Sequence, residues 1–247
     1  MAPSTSAPKF LEPLLGIVFD LDGTLVLSHH DFGRIRGEVV RIAERHGVPP
    51  GRLSVREPVH RIVEEAREVM RAANGLPGEL WRFEAEYQKA IDAIELEALP
   101  RTTARPGAEE LLRGLGARGF RLGVLTRASE AFARAALTKA GLAAHFAYLR
   151  SRSAPGPAKP SPEALLHLLG EMGVPVGRAL FVGDHPLDAE CATAARVRFY
   201  AVLPDPSERD DPAAAADRFR GAGAGAIARD LPELARFLAV APPAPSA

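Results

Sequence analysis

Leu14 to Phe19 is a short apolar run, with Ile17, Val18 and Phe19 unbroken by polar residues, and it stops abruptly at Asp20-Leu21-Asp22-Gly23-Thr24. A run of this length between turn residues predicts a strand buried on both faces. From Ser28 the period becomes helical. Phe32, Ile35, Val39 and Ile42 form one apolar stripe that stops near Gly47-Val48-Pro49-Pro50. Val55, Val59, Ile62, Val63, Ala66 and Met70 form a second, ending at Asn74-Gly75. Leu80, Phe83, Tyr87, Ile91, Ile94 and Ala98 form a third, between Pro77 and Pro100. Stripes at this spacing predict three amphipathic helices that pack on one another as a small bundle.

Beyond Arg105-Pro106-Gly107, strands and helices alternate. Leu111, Leu112 and Leu115 mark a helix, and Phe120 to Thr126 a strand; Ser129 is placed to cap the helix that follows. Phe146 to Leu149 reads as a weak strand, and a Ser/Pro/Gly-rich loop over 150–160 ends in Lys159-Pro160. Ser161-Pro162 then opens a helix with Leu165, Leu168, Leu169 and Met172 on its apolar side. Ala179 to Val182 is a further buried strand, ending in Gly183-Asp184, with Asp188 entering the next helix. Phe199 to Leu203 and Ala226 to Ala228 read as the last strands, with a helix around Leu231 to Leu238; 204–225 gives no clear pattern. Such alternation predicts an α/β fold whose parallel sheet is covered by helices on both faces. The helical stretch interrupts it directly after its first strand. The expected organisation is therefore an α/β core from 14–27 and 104–240, an inserted helical domain over 28–103, and disordered tails at 1–13 and 241–247.

Composition narrows the function classes. With 31 Lys plus Arg against 31 Asp plus Glu, the 247-residue chain has no global basic field to attract nucleic acid. No apolar run approaches the roughly 20 residues that cross a bilayer, and Met1 to Glu12 lacks the form of a signal peptide, so no membrane partner is expected. The single cysteine, Cys191, fits a reducing cytoplasm and reads as a small buried side chain rather than a reactive thiol. Monomer and homodimer are equally open.

The candidate chemistry sits at strand ends. A buried strand delivers Asp20 and Asp22 to the edge where open α/β sheets bind ligands. Two carboxylates there are costly unless compensated, most simply by a divalent cation. Gly23 lets the backbone turn, and Thr24 adds a hydroxyl. Thr126, Lys159, and Asp184 with Asp188 follow later strands. Each alone has an ordinary explanation: a strand cap, a solvated lysine, an Asp turn.

In this order the groups resemble the four motifs of the haloacid dehalogenase-like (HAD) superfamily. Asp20-Leu21-Asp22-Gly23-Thr24 is similar to its nucleophile motif, Thr126 to its phosphate-binding Ser/Thr, Lys159 to its phosphate-stabilising Lys, and Gly183-Asp184 with Asp188 to its acidic metal motif. The insertion is similar to the helical cap of the phosphoglycolate phosphatase-like branch. The resemblance covers roughly 14–240 and implies a Rossmann-like doubly wound core with an inserted α-helical cap. It implies Asp20 as nucleophile, Asp22 as general acid/base, and Mg²⁺ held by Asp20, the Asp22 backbone carbonyl and Asp184. Asp188 either supports the metal or orients Lys159. The implied activity is a Mg²⁺-dependent phosphatase acting on a small phosphorylated metabolite through an aspartyl-phosphate. A phosphosugar mutase using the same Asp pair and an idle binding protein on the same fold are the alternatives. Two positions depart from the common pattern: Arg127 follows Thr126 where Asn is frequent, and His185-Pro186 follows Gly-Asp. Arg127 either binds a substrate anion or pairs with Glu130.

Overall fold

The structure is a computed structural model that describes residues 13–73, 77–205 and 212–239. The expected tails, Pro13 excepted, lie outside the described residues, as does the Asn74-Gly75 break. Two compact units are present. One is built from the chain up to Ser28 and from Thr102 onward, the other from His29–Arg101.

In the α/β unit, β1 (Gly16–Phe19) is buried along its whole length. The strands that follow are β2 (Val26–Leu27), β3 (Thr103–Ala104), β4 (Arg121–Leu125), β5 (Tyr148–Arg150), β6 (Ala179–Gly183), β7 (Arg198–Val202) and β8 (Ala226–Ala228). Six of them form one parallel sheet in the order β5-β4-β1-β6-β7-β8. The order reverses beside β1, so the crevice at a topological switch point opens at the carboxyl end of that strand. Phe19 lies opposite Val124 of β4 and Val182 of β6. The strand's two faces serve different layers. Val18 joins a cluster with Phe181, Phe199 and the helices α6 (Pro162–Met172), α7 (Pro186–Ala194) and α8 (Pro212–Gly221). Ile17 and Phe19, one residue to either side, project from the other face, and Phe19 meets Phe146 edge-on at 6.4 Å. The remaining helices are α4 (Ala108–Ala117), α5 (Glu130–Lys139) and α9 (Leu231–Phe237).

Local rules set the helix starts. Ser129 caps α5, its hydroxyl accepting from the Phe132 amide at 3.3 Å. Ser161 takes the cap position of α6, but its hydroxyl donates to Glu163 instead. The tiny pair β2–β3 is antiparallel, with Val26 opposite Ala104 and Leu27 opposite Thr103. It brackets the inserted residues in sequence.

The helical unit contains α1 (Phe32–Arg45), α2 (Val59–Ala72) and α3 (Pro77–Ala98). Ile35, Val39 and Ile42 of α1, Ile62, Val63, Ala66 and Met70 of α2, and Phe83, Tyr87, Ile91 and Ile94 of α3 share one core. Three stripe members fall outside it: Phe32, Val55 and Ala98, the last buried at the end of α3. Phe32 starts α1 and is 38% exposed against His30, and Val55 precedes α2 in a turn and is 50% exposed. Neither lies within the helical turns that face the core. Phe83 is fully buried there. Phe83→Ala should therefore lower the unfolding free energy of this unit by about 3–5 kcal/mol in urea titrations. A loss under about 1 kcal/mol would show that the cluster is not a packed core.

Candidate active site

The site grows from the end of β1. Asp20 continues the ladder, its amide donating to the Val182 carbonyl at 2.9 Å, and its carboxylate is buried. The chain then turns sharply: the Gly23 amide donates to Val26 at 2.8 Å, and the Leu25 and Val26 amides both donate to the Leu21 carbonyl. Gly23 sits at φ +81, a left-handed conformation that favours glycine. A Cβ there would lie 2.2 Å from Asp184 Oδ2, so glycine is also needed for the turn to close on that carboxylate. Thr24 is fully buried and donates its hydroxyl to Asp184 Oδ1 at 2.7 Å. Asp22, between these groups, is half-buried.

Asp184 and Asp188 arrive from β6 and α7. Gly183 allows their close approach, since a Cβ there would stand 2.6 Å from Asp188 Cγ. Asp188 accepts from the His185 amide at 3.1 Å, while His185 Nδ1 accepts from the Leu187 amide at 3.2 Å. His185, unusual by sequence, thus caps α7. Lys159 is buried and reaches two acids, Asp20 Oδ1 at 2.5 Å and Asp188 Oδ1 at 2.8 Å. Asp188 thus contacts Lys159 through Oδ1. Thr126, just past β4, is buried, and its hydroxyl oxygen accepts from the Ala128 amide at 3.0 Å. That contact orients the hydroxyl and leaves its hydrogen as a donor. Arg127 is half-buried, and its carbonyl accepts from Arg152 Nε at 2.9 Å. Glu130, the surface partner considered for Arg127, pairs with Arg134 at 2.8 Å.

The electrostatics define what the site needs. Burial pushes the Asp20 carboxyl well above the usual carboxylate range, Asp188 adds to this, Lys159 opposes it and Asp184 adds again. Burial alone would lower the Lys159 ammonium, but Asp188 and Asp20 outweigh it and raise it, so Lys159 stays charged. Asp20, Asp184 and Asp188 present carboxylate oxygens within 4.8 Å of one another. Three acids against one ammonium leave two negative charges to balance, and the donors are all hard oxygens. That set fits a divalent cation. The Asp22 carboxylate is not in this cluster. Cys191 is buried and burial pushes its thiol up to about 12, as expected of a packing residue.

One participant was not read from the sequence. Arg105 is buried and donates to the Gly23 carbonyl; its only sequence signal is a place before Pro106-Gly107.

Comparison with known proteins gives the family. Residues 14–196 match the family model described as haloacid dehalogenase-like hydrolase. The chain is 33% identical over 196 residues to a phosphoglycolate phosphatase of Rhodospirillum rubrum, covering 73% of this chain and 76% of that one. It is 30% identical over 190 residues to the N-acetylmuramic acid 6-phosphate phosphatase of Pseudomonas aeruginosa, covering 76% and 81%. A crystal structure of a predicted phosphoglycolate phosphatase from Haemophilus somnus aligns with a TM-score of 0.61 at 20% identity, over 92% of this chain and 99% of that one, and supports the fold. The chain belongs to the haloacid dehalogenase-like hydrolase family. Among the described residues, no helix is long and apolar enough to cross a membrane.

Proposed function

We propose that the protein is a Mg²⁺-dependent phosphatase of small phosphorylated metabolites, of the phosphoglycolate or sugar phosphate kind, working through an aspartyl-phosphate. The observation that carries this is the buried convergence of Asp20, Lys159, Asp184 and Asp188 at the end of β1. The phosphatase names of the relatives support it. Asp20 attacks phosphorus through a carboxylate oxygen, the P–O bond to the leaving alkoxide breaks, and Asp22 protonates that alkoxide. Asp22 then takes a proton from the water that attacks phosphorus and frees Asp20. Lys159 and the Thr126 hydroxyl hold the phosphoryl oxygens. Asp20, Asp184 and the Asp22 backbone carbonyl would hold Mg²⁺, which when bound neutralises charge between the carboxylate and the phosphate dianion. Thr24 holds Asp184 in place for that task. We assign this chemistry to residues 14–27 and 104–240, and the helices within 28–103 to a helical cap domain. The reading calls for no nucleic acid or membrane partner and suits a cytoplasmic protein.

The test is phosphate release from a panel of phosphorylated metabolites. EDTA should abolish release and Mg²⁺ restore it. Full activity in metal-free buffer would contradict the reading, and isomerised ester without free phosphate would indicate a mutase.

Arg127 follows Thr126 and can present a forked donor to a substrate carboxylate. Arg127→Ala should lower kcat/KM by more than about tenfold, roughly 1.4 kcal/mol of transition-state binding. The loss should be larger for carboxylated phosphate esters than for p-nitrophenyl phosphate. Unchanged kcat/KM on both would make Arg127 a surface residue.

A further inference from the structure

The Gly23 peptide joins the parts of the acidic loop that matter. Asp22 precedes it, Thr24 follows it, and Asp184 packs where its side chain would be. Its carbonyl oxygen accepts a buried hydrogen bond from Arg105 Nη1. The other terminal nitrogen, Nη2, donates to the Leu203 carbonyl just past β7 at 2.5 Å. The backbone of Arg105 is tied as well: its amide donates to Leu25 at 2.9 Å, and its carbonyl accepts from Ala108 at 3.0 Å in the first turn of α4. The side chain is only 5% exposed.

A buried guanidinium is costly, and its fork of donors is rigid. Here that fork joins two backbone segments that lie 82 and 98 positions away from it in the chain. Arg105 is also the first residue after β3, where the chain comes back from the inserted helices. We propose that Arg105 is a positioning residue for the acidic loop. It fixes the Gly23 carbonyl, and through that peptide the placement of Asp22 and of Thr24 against Asp184. A residue serving only general stability would leave the chemistry of each folded molecule unchanged. A positioning residue lowers kcat while leaving substrate capture by Lys159 and Thr126 intact.

Arg105→Met removes the fork while keeping much of its volume. Arg105→Lys keeps the charge but offers a point donor, and it serves as the second variant if the first does not fold. Two readouts are needed. Hydrogen exchange at the Leu25 and Val26 amides, both bonded to Leu21, should quicken at least tenfold while the β1 amides stay protected. On the proposed phosphatase reading, kcat per folded molecule should fall about 10- to 100-fold with KM within about threefold. A folded variant with unchanged exchange at Leu25 and Val26, with exchange raised evenly through the α/β unit, or with wild-type kcat overturns the proposal. If the wild-type protein hydrolyses no phosphate ester, the phosphatase reading fails, and the exchange measurement alone decides the role of Arg105.

Discussion

Asp20→Asn should yield a folded protein with no measurable phosphate release. The carboxamide occupies nearly the same volume, so β1 and its ladder to Val182 remain. What is lost is the anionic oxygen that attacks phosphorus, and no neighbouring group replaces it. Asp188 is held by Lys159 and the His185 amide, and Asp184 by Thr24. The fold should not suffer. Burial and the nearby acids raise the Asp20 carboxyl, so above the unfolded value of roughly 3.9 its ionisation opposes folding rather than aiding it. A neutral side chain relieves that cost, and the thermal midpoint should hold steady or rise. Asp22→Asn is the contrasting variant. Losing the general acid/base should slow turnover by about 10²–10⁴ without removing the covalent step. Substantial steady-state activity in folded Asp20→Asn would remove Asp20 from the nucleophile role.

Lys159→Met should be nearly as severe, for a different reason. The ammonium neutralises Asp20 and Asp188 and, on the proposed reading, holds a phosphoryl oxygen as charge develops there. Removing such a preorganised donor costs about 10²–10³ in kcat. It also strands two buried carboxylates, and breaking a buried ion pair typically costs about 3–5 kcal/mol. Lys159→Met should therefore lose both activity and stability, whereas Asp20→Asn loses activity alone. Parallel thermal melts and kinetics separate the two. A Lys159→Met protein with kcat within threefold of wild type would show that the ammonium is only a structural counter-ion.

Much of this was legible in the sequence because the determinants are local. β1 is a continuous apolar run ended by acids, and Thr126, Lys159 and Asp184 follow three of the later strands, β4, β5 and β6. The three helical stripes name most of the second core; Phe32, Val55 and Ala98, which lie at or beyond helix ends, are not part of it. Other features depend on tertiary partners. Helix α8 lies in the stretch that showed no pattern, because its buried side chains are Ala215, Ala216 and Phe219, too small a signal among Pro, Asp and Ala. Strands β2 and β3 are two residues each, too short for any period, and each exists only through the other. Arg105 shows the same limit, since its partners are backbone carbonyls and no motif records them.

The central claim is that the phosphoryl group passes through Asp20. Rapid quenching of turnover, borohydride reduction of the trapped acyl-phosphate and mass mapping test it most directly. Aspartyl-phosphate should be reduced to homoserine at position 20 in the wild-type protein, accumulate further in Asp22→Asn, and be absent from Asp20→Asn. Phosphate release by wild-type protein with no modification at Asp20 under any quench time, or with modification at another residue, would contradict the account.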